Sequence, residues 1–297
     1  MKYTPTDQLI ATEMDNFTQR IYKLKSGVAS GYANLDHALG GVGFERGNLC
    51  IIAGRPSMGK TLTAINILVN QLRNLPSEAV LIYFTGAMSA TELIQKIMAI
   101  VFKLDIQKIQ SGTISKQDLA IINADPFMEK LSKALVIIDN ESPSIADIKQ
   151  LLLTIDNQGK TIQMVTIDTL QNIQTEGFLN TEQGIVHMLK GLKIIANQMQ
   201  FPVLLLSDVN RSVEYRNGSK IPMLKDLKGS RLIADQVQHC FFVLRPFYYE
   251  VPDESPVLEE ELHLICKKNM YGPTDTLSFK TDLKKQILSA GSIFSLD

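Results

Sequence analysis

Leu49-Cys50-Ile51-Ile52-Ala53-Gly54-Arg55-Pro56-Ser57-Met58-Gly59-Lys60-Thr61 is the stretch on which the reading of this chain turns. Its first five residues form an apolar run that suits a buried strand. The next eight match the phosphate-loop pattern G-x-x-x-x-G-K-[ST], and Leu62 to Leu68 continue at helical spacing. Glycines let such a loop wrap so that successive N–H groups face phosphate oxygens, and the helix that follows adds about half a positive charge there. The pattern predicts that Gly54, Arg55, Pro56, Ser57, Met58, Gly59, Lys60 and Thr61 cradle the phosphates of ATP. Lys60 is expected on the β- and γ-phosphates and the Thr61 hydroxyl on Mg²⁺. A chance glycine-rich turn is the bland alternative, and the strand-loop-helix frame speaks against it.

Working outward, short apolar runs recur at 79–84, 135–138, 163–167 and 203–206, with helical stretches at 60–73, 90–103, 144–156 and 182–199. Strands alternating with helices of this length predict an α/β domain with a mostly parallel sheet flanked by helices. The last runs, 240–244, 262–265 and 276–280, have no helix between them and are expected as antiparallel strands at one edge. Residues 8–25 read as a helix before a flexible break at 26–31. This helix is either a linker that docks elsewhere or one that packs on its own domain. The division expected is an arm, 1–29, and one domain, 30–297.

An enzyme that hydrolyses ATP needs an acidic residue near the metal. Asp168 ends the run Val165-Thr166-Ile167, at the sheet edge where crevices open. It is the expected partner of Thr61 in holding Mg²⁺. Asp139 is the rival, and a strand-end aspartate in its place more often caps a helix.

The bulk numbers exclude little. With 297 residues, 45% of them apolar, the chain can bury a large core. A net charge of −1 and a pI near 6.4 advertise no global affinity for nucleic acid. Cys50, Cys240 and Cys266 are widely spaced and read as free thiols in a reducing compartment. The four histidines form no ligand pair. No run of about 18 apolar residues suggests a membrane span, and the first residues lack the apolar core of a signal peptide. A cytoplasmic protein with no membrane partner is the expectation.

Several segments resemble the DnaB-type replicative helicases, in order and spacing. Ser30-Gly31 through Gly40-Gly41 resembles that family's TG-x-x-x-LD-x-x-x-GG, and Ile167-Asp168-Thr169-Leu170-Gln171 its IDYLQ. Leu206-Ser207-Asp208-Val209-Asn210-Arg211-Ser212-Val213-Glu214 resembles LSQLNRSVE, Pro222 to Lys228 resembles RPMLSDLR, and Lys268 to Thr274 resembles KNRNGPT. Together they cover roughly 8–280. The resemblance implies a RecA-like P-loop motor domain with an N-terminal linker helix that docks on a neighbouring subunit. It further implies a homo-oligomer, a ring of six, with ATP between neighbours, single-stranded DNA in the channel, and a primase or helicase loader as partner.

Three departures bear on chemistry. The glutamate of the family's FSLEM, which polarises the attacking water, is Ala87. The arginine finger of KNRNGP is Met270, although Lys268 keeps the neighbouring positive charge and the expected catalytic role. The phosphate-sensing glutamine of LSQ is Asp208, a carboxylate at a position that contacts nucleotide. Either Glu92 or Asp208 substitutes, or the chain is a weakened member that binds ATP for assembly. General-base help is worth about 10²–10⁴-fold and a finger about 10³–10⁵-fold. A small-molecule kinase on the same scaffold lacks any recognisable acceptor lid.

For DNA, the basic loop 210–220 with its Asn217-Gly218 turn reads as mobile, and Lys225, Lys228 and Arg231 follow it. The resemblance implies phosphate contacts from Arg211, Lys225, Lys228, Gly229 and Arg231, which position a strand without reading its sequence. Without it, a solvated charged loop is the simpler reading. Tyr248 and Tyr249 offer either a stacking platform or edge packing.

Overall fold

The computed structural model describes residues 5–21, 27–140, 142–175, 181–229, 232–249 and 260–294. Helix α1 (Thr6–Ile21) stands first, then the short α2 (Ala33–Ala38), strand β1 (Leu49–Gly54) and helix α3 (Lys60–Arg73). Strand β2 (Ala79–Thr85) and helix α4 (Ala90–Phe102) follow. Three short helices, α5 (Ile106–Gln110), α6 (Lys116–Ala124) and α7 (Pro126–Ala134), then lead into β3 (Leu135–Asp139). Next come α8 (Ile145–Asn157), β4 (Thr161–Asp168), α9 (Thr181–Met199), β5 (Val203–Asp208) and α10 (Ile233–Gln236). The chain closes on β6 (His239–Leu244), β7 (Glu261–Asn269), β8 (Thr276–Asp282) and β9 (Ile287–Phe294).

Among the described residues these strands form one sheet in the order β3-β2-β4-β5-β1-β6-β7-β8-β9. β1 sits in the middle and every one of its residues is buried, as an unbroken apolar run requires of a strand covered on both faces. Its alternate residues feed two cores. Cys50 and Ile52 face the layer under α3 and α4, while Leu49, Ile51 and Ala53 face the layer under α8 and α9. Several helices start at polar caps. Ser89 caps α4, Asp125 caps α7 with Pro126 in its first turn, and Ser144 with Asp147 forms a capping box on α8.

The sequence reading needs four corrections. Strand β6 is not antiparallel to the rest: it pairs parallel to β1, with Ile51 opposite Cys240, and the antiparallel ladder begins at β7. The described residues of the crossover from β5 to β6, 209–238, hold α10 and two single turns, Arg211–Val213 and Leu224–Asp226, so no long helical period marks it. Strand β9 was not expected, because Ser289, Ala290, Gly291 and Ser292 have poor strand propensity; as an edge strand it is held by its ladder to β8. Helices α5 to α7 were also missed. Finally, 27–31 is not a free break. Val28 exchanges two 2.8 Å backbone hydrogen bonds with Phe44 and is a core residue, so this stretch packs on the sheet domain. A side chain at Gly27 would strike the Val42 carbonyl at 2.6 Å, which explains the glycine.

Helix α1 carries an apolar stripe that its own domain leaves uncovered: Leu9, Ile10, Met14 and Phe17 are each more than half exposed. Residues 22–25 of the expected helix lie outside the described residues. Among the described residues no helix is long and apolar enough to cross a membrane.

Candidate nucleotide site

The parallel strands all point their carboxyl ends to one edge, and the site's side chains are the residues standing there. Gly54 ends β1, Asp168 ends β4, and Asp208 ends β5 directly opposite Gly54 in register. From Gly54 the loop turns through Ser57 (φ 65°) and Gly59 (φ 105°) into α3. A Cβ on Gly59 would meet Leu262 Cδ1 at 2.6 Å, so this position needs glycine for space as well as backbone. Beside the loop opens a cleft of about 240 Å³ lined by Arg55, Lys60, Thr61, Lys96, Arg245 and Gln286 among others. Four of those six carry positive charge, which fits the cleft to a polyanion.

Lys60 is buried. Its ammonium donates to the Gly54 carbonyl at 2.8 Å and the Arg55 carbonyl at 3.3 Å, and lies 3.2 Å from Asp208 Oδ1. Thr61 Oγ1 donates to Asp168 Oδ2 at 2.9 Å, and so does the fully buried Tyr83 hydroxyl at 3.0 Å. Asp168 Oδ1 is buried with no hydrogen-bond partner. Burial holds the Asp168 carboxyl above its usual range, with the Thr61 and Tyr83 hydroxyls and Lys60 pulling the other way. An orphaned carboxylate oxygen beside a threonine hydroxyl is a donor set for a hard cation, so the residues present fit Mg²⁺.

Asp139 caps as a strand-end aspartate can: its Oδ2 accepts from the Ala90 N–H at the start of α4, 3.0 Å away. Ala87 is exposed, and Glu92 turns to Lys96 one turn on, at 3.6 Å. Asp208 lies between two lysines, Lys60 on Oδ1 and Lys228 at 3.7 Å from Oδ2. Gln171 ties this corner together. Its amide donates to Ser207 Oγ and the Lys228 carbonyl, and its carbonyl accepts the Asp208 N–H.

The loop after β5 is tied by its own hydrogen bonds. Arg216 makes two 2.6 Å bonds to the buried carboxylate of Asp226, Lys220 caps the Glu214 and Arg216 carbonyls, and Arg211 begins a single helical turn. Arg55 bonds Glu214 at 2.7 Å and the Val209 carbonyl at 3.0 Å, so this loop is fastened to the phosphate loop itself. That bond holds the Glu214 carboxyl below its usual range. Arg211, Lys225 and Lys228 are exposed. Gly229 takes φ 106°, with Ile185 Cδ1 2.5 Å from where a Cβ would stand. Arg231 lies outside the described residues.

Lys268 and Met270 are not brought to the phosphate loop. Strand β7 runs against β6 with Asn269 opposite His239, which puts both at the far edge of the sheet. By strand rise that is roughly 17 Å from the phosphate-loop end. Lys268 donates there to the Ala234 carbonyl at 2.7 Å, and Met270 is 64% exposed.

Sequence reasoning missed Tyr83, Lys96 and Arg245. Arg245 follows the last residue of β6, and its place at the end of the run Cys240 to Leu244 is the signal that could have found it. Its guanidinium lies 5.4 Å from the centre of the Tyr248 ring; Tyr249 packs against the core, so edge packing describes it.

A phosphate loop at the carboxyl edge of a parallel sheet, with an acidic strand end against its threonine, defines a P-loop nucleotide-binding domain. The comparisons narrow this. Residues 27–287 match the family model described as the DnaB-like helicase C terminal domain, and the chain belongs to that family. It is 31% identical over 255 residues to the replicative DNA helicase DnaC of Bacillus subtilis, covering 85% of this chain and 54% of that protein. It is 32% identical over 254 residues to the replicative DNA helicase DnaB of Geobacillus stearothermophilus, with the same coverage. The chain thus spans about half the length of the curated relatives it matches. The solved ATPase domain of G40P superposes with a TM-score of 0.84 at 25% identity, over 98% of this chain and 100% of that one. A DnaB-like replicative helicase, solved in a study of its interactions with primase, shares the fold with a TM-score of 0.81 at 24% identity, over 97% of this chain and 67% of that one.

Proposed function

We propose that this chain is the motor domain of an ATP-dependent DNA helicase of replication. It binds Mg²⁺-ATP at the subunit interfaces of a hexameric ring and moves on single-stranded DNA. The observation that carries the reading is the set Lys60, Thr61 and Asp168 at the mouth of a cationic cleft, in a chain of this family. Gly54 to Thr61 hold the phosphates; Thr61 and Asp168 hold Mg²⁺, which when bound offsets the charge of the phosphates.

Lys268 supports the ring. It stands at the far edge of the sheet, away from its own phosphate loop, as a group acting in trans on a neighbour's phosphate must. The uncovered stripe of α1 supports docking of that helix on an adjacent copy. Exposed Arg211, Lys225 and Lys228, with Gly229 and Arg231, are the proposed DNA contacts, made to phosphates and therefore indifferent to sequence. Primase or a loader is the proposed further partner, and the three buried free thiols suit a reducing cytoplasm.

A second reading is favoured by particular contacts. Ala87 carries no base, Glu92 is engaged by Lys96, and Asp208 is engaged by two lysines. A member so built binds ATP for assembly or regulation without fast turnover. Steady-state ATPase with and without single-stranded DNA separates the two, run on the chain as it stands and on Ala87→Glu. Turnover stimulated by DNA supports the motor. Background rates that Ala87→Glu raises by about 10²-fold or more support the second reading. Background rates in both, with no nucleotide bound, would sink the first and the second together.

A further inference from the structure

Asp208 stands where it can do more than tolerate a phosphate. A lysine ammonium has three protons to donate. Those of Lys60 are met by the Gly54 carbonyl, the Arg55 carbonyl and Asp208 Oδ1, so the chain itself satisfies the group that the phosphates need. The carboxylate is placed firmly. Its strand pairs with β1 so that Asp208 faces Gly54, its N–H is held by Gln171, and its carbonyl accepts the Lys228 N–H at 2.9 Å. Its second oxygen lies 3.7 Å from Lys228 Nζ.

We infer that Asp208 is a built-in competitor of phosphate, an anion that occupies Lys60 and must yield it when nucleotide binds. The inference rests on the nucleotide-binding reading of this cleft and adds what sets its affinity. A phosphate oxygen arriving at Lys60 meets a like charge on the same ammonium, which a neutral side chain at this position would not present. Lys228 moderates the conflict. It draws on the same carboxylate from the other side, and it is the cation left to hold Asp208 once phosphate has taken Lys60. The pair joins the phosphate loop to the segment that carries Lys228 and Gly229, so nucleotide occupancy and the setting of that segment are linked through one carboxylate.

The sign of two substitutions tests this. Binding of a fluorescent ADP analogue with Mg²⁺ is measured on the full chain, on Asp208→Asn and on Lys228→Gln. Asp208→Asn keeps the shape and removes the charge, and is expected to tighten binding about tenfold, the scale of one partly exposed charge-assisted contact. Lys228→Gln leaves Asp208 to Lys60 alone and is expected to loosen binding several-fold. That effect should shrink when Asp208→Asn is also present, because the two act through one group. Wild-type binding with unchanged or weaker affinity in Asp208→Asn overturns the inference while leaving the nucleotide reading intact. Binding by Asp208→Asn alone supports it, the competitor then being dominant. If neither protein binds nucleotide, both ideas fall. Should Asp208→Asn fail to fold, Lys228→Gln decides: exposed and safe for folding, it overturns the inference if it tightens binding or leaves it unchanged.

Discussion

Removing one oxygen atom, in Tyr83→Phe, tests the chemistry assigned to Asp168. The Tyr83 hydroxyl is wholly buried and donates to Asp168 Oδ2 at 3.0 Å, beside the 2.9 Å bond from Thr61. Phenylalanine keeps the ring packed in the core layer and deletes only the donor. A hydrogen bond to a charged acceptor contributes about 1.5–3 kcal/mol, and Thr61 remains on the same oxygen, so a loss near the lower figure is expected. For a chain of this size that is a fall in Tm of about 2–4 °C. The more telling effect is on pH. Burial already holds the Asp168 carboxyl above its usual range, and the Tyr83 hydroxyl is one of the groups restraining it. Without that hydroxyl the carboxyl rises further, so it takes up a proton earlier as pH falls, and a protonated Asp168 is a poor cation ligand. Mg²⁺-dependent nucleotide binding should therefore be impaired more at pH 5.5 than at pH 8. Binding titrations at both values, with thermal melts alongside, measure the two effects. Equal impairment at both pH values, or none at either, would refute the argument that Tyr83 acts through Asp168.

Two further outcomes follow from buried charge. Arg216→Ala strands the Asp226 carboxylate, which is 4% exposed and otherwise holds only local backbone. Breaking such a pair costs about 3 kcal/mol or more, so a urea midpoint should fall markedly, whereas Lys225→Ala on the exposed side of the same loop should hardly move it. His239 is buried, and burial pushes its imidazole down to about 4 from an ordinary value near 6.5. The folded state thus prefers the neutral ring: the stability is present above about pH 6.5 and is lost as pH falls from there towards 4. The full loss is about 3 kcal/mol, and His239→Gln should flatten the stability profile over that window in denaturant titrations at stepped pH.

How far the sequence could be read depends on the range of the interactions involved. Strands β1 to β5 and the long helices announce themselves through periodicity, which is local. So does the phosphate loop, because its glycines answer to backbone geometry within eight residues. Strand direction at β6 is not local. The run from Cys240 to Leu244 looks the same whichever way its neighbour points, and only packing against β1 sets it parallel. Strand β9 has almost no pattern, since an edge strand is held by backbone ladder bonds that composition does not record.

The site divides in the same way. From sequence alone came Lys60, Thr61 and Asp168, each attached to a motif or a strand end, and the departures Ala87, Asp208 and Met270 that set this chain apart from its family's pattern. What those departures meet was decided by the tertiary structure. Asp208 and Lys60 are 148 positions apart, Tyr83 and Asp168 are 85 apart, and Lys268 is separated from the phosphate loop by the width of the sheet. Read along the chain, Asp208 is a carboxylate near phosphate with no named partner; the fold supplies the partners, Lys60 and Lys228. That difference is a matter of distance in space, because electrostatic contacts form between whichever charges the fold brings within a few ångströms.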